Sequence, residues 1–153
     1  MAISLEVTAH TSADADQVFR TVCDLRSWDA FAGVTLVGPQ RALRVGDRVD
    51  ITLRVMRKDI RSGCRVTSVR EPTADRSGSM EIRTFEGPFD SVVIGTVHPR
   101  VDDDGSDMQL EVYGVGRGAA RLLEGPVDYV MRHWTEHQVR HLLELLNEPT
   151  PVG

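Results

Sequence analysis

Lysine is almost missing from this 153-residue chain: Lys58 is the only one, and the remaining cationic residues are all arginine. The 18 Lys and Arg stand against 23 Asp and Glu, a net charge of −5 that gives no support for nucleic-acid binding. The arginine bias is the kind a high-GC bacterial genome produces. No stretch approaches the roughly 18 consecutive apolar residues of a membrane span. "MAISLEVTAH" has no basic flank ahead of an apolar run, and Glu6 interrupts what apolar character it has, so a secretory signal is not expected and the cytoplasm is the expected location. The two cysteines, Cys23 and Cys64, form no CxxC and sit among apolar neighbours, which points to two buried thiols rather than a bridge or a metal site.

What is present suits a single core. Hydrophobic residues make up 41% and charged residues 27%, and a chain of this length can bury about two thirds of its unfolded surface without disulfides or metals. One domain over residues 1–148 is expected, with 149–153 as a flexible tail. "ISLEVTA" alternates Ile3, Leu5, Val7 and Ala9 against polar neighbours, the signature of a half-buried strand. A helix follows, capped by Asp14 with Gln17 closing the box and striped by Val18, Phe19, Val22 and Leu25. "SWDAF" reads as a second short helix or a turn. From Val34 to about Gly116 the period is two, in the runs "VTLVG", "DRVDITLRV", "GCRVTSV", "SMEIRTF", "SVVIGTV" and "DMQLEVYG", which predicts antiparallel strands joined by hairpins. Val127, Met131, Trp134, Gln138, Leu142 and Leu145 then recur at helical spacing, predicting a helix over 126–147 of about 33 Å with Pro126 in its first turn.

Seven strands present one apolar face, and only the terminal helix is long enough to cover it. The order predicts an α+β fold: a seven-stranded, curved antiparallel sheet wrapped around a long C-terminal helix, with two short helices after strand 1 closing the mouth. A cavity should remain where the helix stands off the sheet.

Several motifs test that reading. Gly114, Gly116 and Gly118 are spaced by two, not as G-x-G-x-x-G, and no parallel strand follows, so a dinucleotide loop is excluded in favour of glycines that leave room or permit a bend. "VDDDGSD" has its glycine misplaced for a calcium loop and reads as a solvated turn. "HWTEH" matches H-x-x-E-H, but too few residues follow His137 to supply a further ligand, and Arg132 and Arg140 flank it, so no metal is expected. No G-x-S-x-G elbow occurs. The polar candidates at the cavity are Arg83, Thr84, Glu86, Asp90 and Tyr129. An inward Arg83 could hold a carbonyl or enolate oxygen through two N–H groups. Strand parity sets Met80, Ile82 and Thr84 inward and Arg83 outward, so an inward Arg83 requires a bulge near "EGPF".

In this element order, "DLRSWDAF" (24–31), "RTFEGPF" (83–89) and "GPVD" (125–128) together resemble the START-like (SRPBCC, helix-grip) superfamily and, within it, the polyketide cyclase/dehydrase group. The resemblance implies a cofactor-free protein with an internal hydrophobic cavity that catalyses aldol cyclisation and dehydration of a poly-β-ketone or related substrate. It makes Arg83 the oxyanion-holding group; Asp90 or Glu86 is expected to move protons where a dry pocket raises its pKa. The expected ligand-binding residues are Trp28, Phe31, Thr84, Phe89, Gly114, Val127, Val130, Met131 and Trp134, with no metal and no cofactor. The tyrosine that the aromatase/cyclases carry after the Trp segment is absent, Gly33, Val34 and Thr35 standing there. The alternative on the same fold is non-catalytic binding or transport of a lipid-like hydrophobic small molecule. Expected partners are a hydrophobic small molecule or a carrier-protein-bound polyketide, and a homodimer through the long helix; neither nucleic acid nor a membrane span is expected.

Overall fold

The computed structural model describes residues 2–147; the expected tail at 149–153 and the domain limit at 148 lie outside the described residues. Strand β1 (Ile3–Thr11) leads into helix α1 (Ala15–Val22) and a short 3-10 turn (Leu25–Ser27). Six strands follow, β2 (Val34–Val37), β3 (Arg48–Val55), β4 (Lys58–Arg70), β5 (Gly78–Glu86), β6 (Phe89–Pro99) and β7 (Ser106–Gly116). A 3-10 segment (Gly118–Leu123) then feeds helix α2 (Glu124–Asn147). The strands form one antiparallel sheet in the order β1-β7-β6-β5-β4-β3-β2, so the first strand returns to pair with the last, from Ile3 opposite Gly114 to Thr11 opposite Ser106.

Local chemistry places these elements. The Asp14 carboxylate accepts the Gln17 N–H at 2.8 Å, satisfying an orphan donor of α1, and Val18, Phe19 and Val22 are buried beneath it. The second short helix lies at Leu25–Ser27, earlier than "SWDAF", because Asp24 accepts the Arg26 N–H and caps it there, leaving Trp28 extended. Helix α2 starts two residues before Pro126, which stays in the first turn, where its missing N–H has no intrahelical partner to lose. Its 24 residues span about 36 Å. The expected stripe holds through Leu142, but Leu145 is exposed and Leu146 buried, since four residues from Leu142 return closer to the same face than three. None of the described helices is long and apolar enough to cross a membrane.

Two bulges interrupt the β4–β5 pairing. Thr67 is the extra residue on β4, and Phe85 is the extra residue on β5, between the pairs Cys64–Thr84 and Gly63–Glu86. The core divides into two apolar clusters on the concave face. One packs α1 and the C-terminal half of α2 against Met80, Val97 and Met108. The other packs Val127, Met131 and Trp134 of α2 against Ile3, Leu53, Ile60, Phe89 and Val112. Trp28 and Ile51 border both.

Candidate ligand site between the sheet and the long helix

The second cluster does not fill its space. A cavity of about 40 Å³ lies between the sheet and α2, lined by Ile51, Leu53, Ile60, Phe89, Val93, Val112, Val127 and Met131, with the backbone of Gly114 as part of its wall. A smaller void of about 20 Å³ lies under Trp28 and Trp134 and shares Ile51 and Val93 with the first. The unfilled apolar volume expected from the sequence is therefore present but small, with room for only a few water molecules. Met131, unbranched and flexible, closes the larger cavity from the helix side.

Gly114 supplies its room by lacking a side chain: a Cβ there would project to 3.4 Å from Ser91 Cβ and 3.6 Å from Ile3 Cδ1. Gly116 answers a different need, since a Cβ would lie 2.7 Å from the Ala120 backbone. Its N–H donates to the buried Glu124 carboxylate at 2.9 Å, which ties the end of β7 to the start of α2.

The polar groups of the larger cavity are hydroxyls. Ser62 of β4 and Ser91 of β6 line it, and none of its lining residues is charged. Behind Ser91, Thr84 Oγ1 lies 2.5 Å from Ser91 Oγ and 3.8 Å from the thiol of Cys64. Both thiols are buried; burial first, and Glu71 second, pushes Cys23 up to about 12, and burial raises Cys64.

The segment after α1 covers the smaller void and is stapled to α2. Trp28 stacks on Trp134 with ring centroids 5.5 Å apart and planes 9° from parallel, while its indole N–H donates to the Val22 carbonyl at 3.1 Å. Gln138 accepts the Asp29 N–H at 2.9 Å and donates to the Asp29 carbonyl at 2.8 Å. His137 Nε2 lies 2.9 Å from the Asp29 carboxylate, with His141 at 3.9 Å, and the hydrogen bond from His137 holds that carboxyl below its ordinary range.

The sequence-predicted residues separate into three groups. Phe89, Gly114, Val127 and Met131 line the larger cavity; Trp28 and Trp134 line the smaller; Thr84 stands directly behind Ser91. Phe31, Val130 and Tyr129 lie instead along an outer groove of α2, where Phe31 packs 5.3 Å from the His137 ring and the exposed Tyr129 meets His133 edge-on at 4.4 Å. Arg83, Glu86 and Asp90 line neither void.

Arg83 does not point inward. An inward Arg83 would require a bulge near "EGPF"; one lies there, but its extra residue is Phe85, C-terminal to Arg83, so the parity at Arg83 is unchanged. Its side chain is 58% exposed on the convex face and is held by Glu81 through two hydrogen bonds of 3.0 Å, which raise its pKa further. The Glu86 carboxylate lies over Gly63 and accepts from Arg48 at 2.7 Å. Asp90 pairs with Arg117, whose hydrogen bond lowers its pKa. Phe85 itself lies between the guanidinium groups of Arg48 and Arg65, at 5.0 and 4.7 Å. In "HWTEH", His133 and His137 have different neighbours, and no group of three or more His, Cys, Asp or Glu among the described residues is placed to hold a metal.

Sequence reasoning missed Ser62, Ser91 and the pairing of Gln138 with Asp29. The parity was available, since Ile60, Ser62 and Cys64 alternate inward, as do Phe89, Ser91 and Val93. Gln138, a polar residue within an apolar stripe, was the signal for a buried hydrogen-bonding role, but nothing local identifies Asp29 as its partner.

No family model and no curated protein matches the chain. Solved structures do match its fold. The ZhuI aromatase/cyclase from Streptomyces sp. R1128 superposes with a TM-score of 0.66 at 14% identity, covering 95% of this chain and 94% of that one. A START superfamily protein from Mycobacterium smegmatis gives 0.61 at 12%, covering 94% and 96%. The major latex-like protein 151 of Panax ginseng gives 0.61 at 13%, covering 96% and 99%.

Proposed function

We propose that the START-like, helix-grip fold of this chain serves to bind a compact apolar small molecule between the sheet and α2 without converting it. The observation that carries this reading is the lining of the cavity: apolar side chains, a glycine that leaves space, and no charged group. Binding would proceed by a swing of Met131 and adjustment of the stapled segment around Trp28, because the resting cavity of about 40 Å³ is too small for a multi-atom ligand. A ligand would therefore select a more open state, and its affinity is reduced by the cost of that opening.

The polyketide cyclase/dehydrase reading has one support, the likeness of fold to the Streptomyces aromatase/cyclase. It asks for a cation and proton carriers facing the substrate, whereas Arg83, Glu86 and Asp90 are each engaged in ion pairs outside the cavity. Binding alone needs no such groups.

Native mass spectrometry of the freshly purified protein, together with titration by the neutral fluorophore N-phenyl-1-naphthylamine, tests the proposal. A retained or titratable apolar molecule at one equivalent, unaffected by Arg83→Ala, is expected. No binding at micromolar to millimolar concentration would overturn it. Turnover of a poly-β-ketone that is lost in Arg83→Ala would replace it with the cyclase reading.

A further inference from the structure

The polar groups of the cavity are too few and too uniform to be general wetting. Ser62, Thr84 and Ser91 come from three strands, each from the inward-facing set of its strand, and Cys64 joins them behind. Ser62 makes no side-chain hydrogen bond with any described residue, although it lines the cavity and its Oγ would be 3.1 Å from a Cβ placed on Gly87. Ser91 has one hydroxyl contact, to Thr84 at 2.5 Å. A hydroxyl carries one proton and two lone pairs. If Thr84 gives its proton to Ser91, the Cys64 thiol can donate to Thr84, and the Ser91 proton is left to face the cavity.

We infer that Ser91, oriented by Thr84, is a neutral oxygen-recognition point, with Ser62 a second and separate hydroxyl on the same cavity, so that the ligand is an uncharged molecule with an apolar body and one hydroxyl or carbonyl oxygen directed at the β6 side of the cavity. This rests on the binding reading above and makes it more specific. An anionic ligand is disfavoured because no lining residue is cationic and a carboxylate in an apolar enclosure keeps its desolvation penalty. A pure hydrocarbon leaves the Ser62 hydroxyl without a partner once the ligand has displaced water from it. A phenol, alcohol or ketone gives the Ser91 hydroxyl a partner. Thr84 acts as a positioning residue: it never reaches the ligand and sets the direction of the Ser91 proton.

The experiment compares three single-ring probes of nearly equal shape, p-cresol, toluene and p-toluate, by isothermal titration and by Trp fluorescence, in the wild type and in Ser62→Ala, Ser91→Ala and Thr84→Val. The expected result is that p-cresol affinity falls roughly tenfold in Ser91→Ala and by less in Ser62→Ala, while toluene affinity changes less than about twofold in either. The unchanged toluene binding also certifies that each variant retains its fold. Thr84→Val should weaken p-cresol several-fold with no effect on toluene, and p-toluate should bind at least tenfold more weakly than p-cresol to the wild type. Equal loss of toluene and p-cresol in the serine variants, or no loss of either, would overturn the oxygen subsite while leaving the binding reading intact. Failure of all three probes to bind the wild type would overturn both.

Discussion

Gln138 and Asp29, 109 positions apart in sequence, are joined by two hydrogen bonds, the Gln138 side chain taking the Asp29 N–H at 2.9 Å and giving its own N–H to the Asp29 carbonyl at 2.8 Å. Gln138 is fully buried in the apolar stripe of α2, so its amide has no water to fall back on and the pairing is obligatory. The two bonds lock the segment that carries Trp28 onto the helix and so set how readily the site beneath it opens.

Gln138→Leu keeps the volume and removes both bonds. The Asp29 backbone can regain water because Asp29 is exposed, so the cost should be near the lower end of a lost buried pair, about 1–2 kcal/mol, seen as a fall of several degrees in Tm. Tryptophan emission should shift to the red as Trp28 leaves Trp134. A thermal melt identical to the wild type would show that the staple is dispensable.

Gly114→Ala places a methyl group in the cavity wall with only ordinary contacts, the nearest at 3.4 Å. Stability should change by less than about 1 kcal/mol. Affinity for N-phenyl-1-naphthylamine should fall about tenfold, since the methyl occupies volume the ligand needs. Undiminished affinity would place the binding site elsewhere.

Arg83→Ala and Glu81→Gln break an exposed ion pair on the convex face. Probe affinity should be unchanged in both variants, and their melting curves should overlay the wild type within error. A loss of affinity in Arg83→Ala alone would show that this guanidinium reaches the ligand in a state other than the one described.

Acid should weaken the fold over a defined window. The hydrogen bond from Arg41 lowers the pKa of Asp47, that from Arg26 lowers Asp24, that from His137 lowers Asp29, and that from Arg83 lowers Glu81. The ordinary values are 3.8 for Asp and 4.5 for Glu. A depressed folded-state pKa stabilises the fold above the ordinary value and loses that contribution as pH falls through the folded one. Tm should therefore be level above about pH 5 and decline modestly below about pH 4, since these pairs lie at the surface. A Tm that stays level to pH 3 would contradict the assignment.

The two thiols should be inert in the native protein. Burial raises both, Cys23 to about 12, so neither forms appreciable thiolate at neutral pH. Ellman's reagent at pH 8 should release no chromophore from the folded protein and two equivalents in guanidinium chloride. Rapid reaction of one native thiol would show that its apolar cover opens.

Much of the architecture was legible in the chain because burial imposes a period. Ile3 and Leu5, Met80 and Ile82, and Val127, Met131 and Trp134 alternate as strand and helix demand, and that pattern alone predicts seven strands and one long helix. The same parity rule set Arg83 outward, and the bulge that could have overruled it falls two residues later, at Phe85. Bulge position depends on how β5 aligns with β4, where Glu86 lies over Gly63, and neither strand states that alignment by itself.

What the sequence determined by itself was which faces are apolar, and therefore that a sheet must close on the C-terminal helix. How much space that closure leaves, and which groups look into it, was decided by tertiary structure. The volume is a small difference between large packed volumes contributed by β1, β3, β4, β6, β7 and α2, and a change of one methyl group at any of them would alter it. The meeting of Thr84 and Ser91 is of the same kind, since only strand register brings these two hydroxyls from neighbouring strands together.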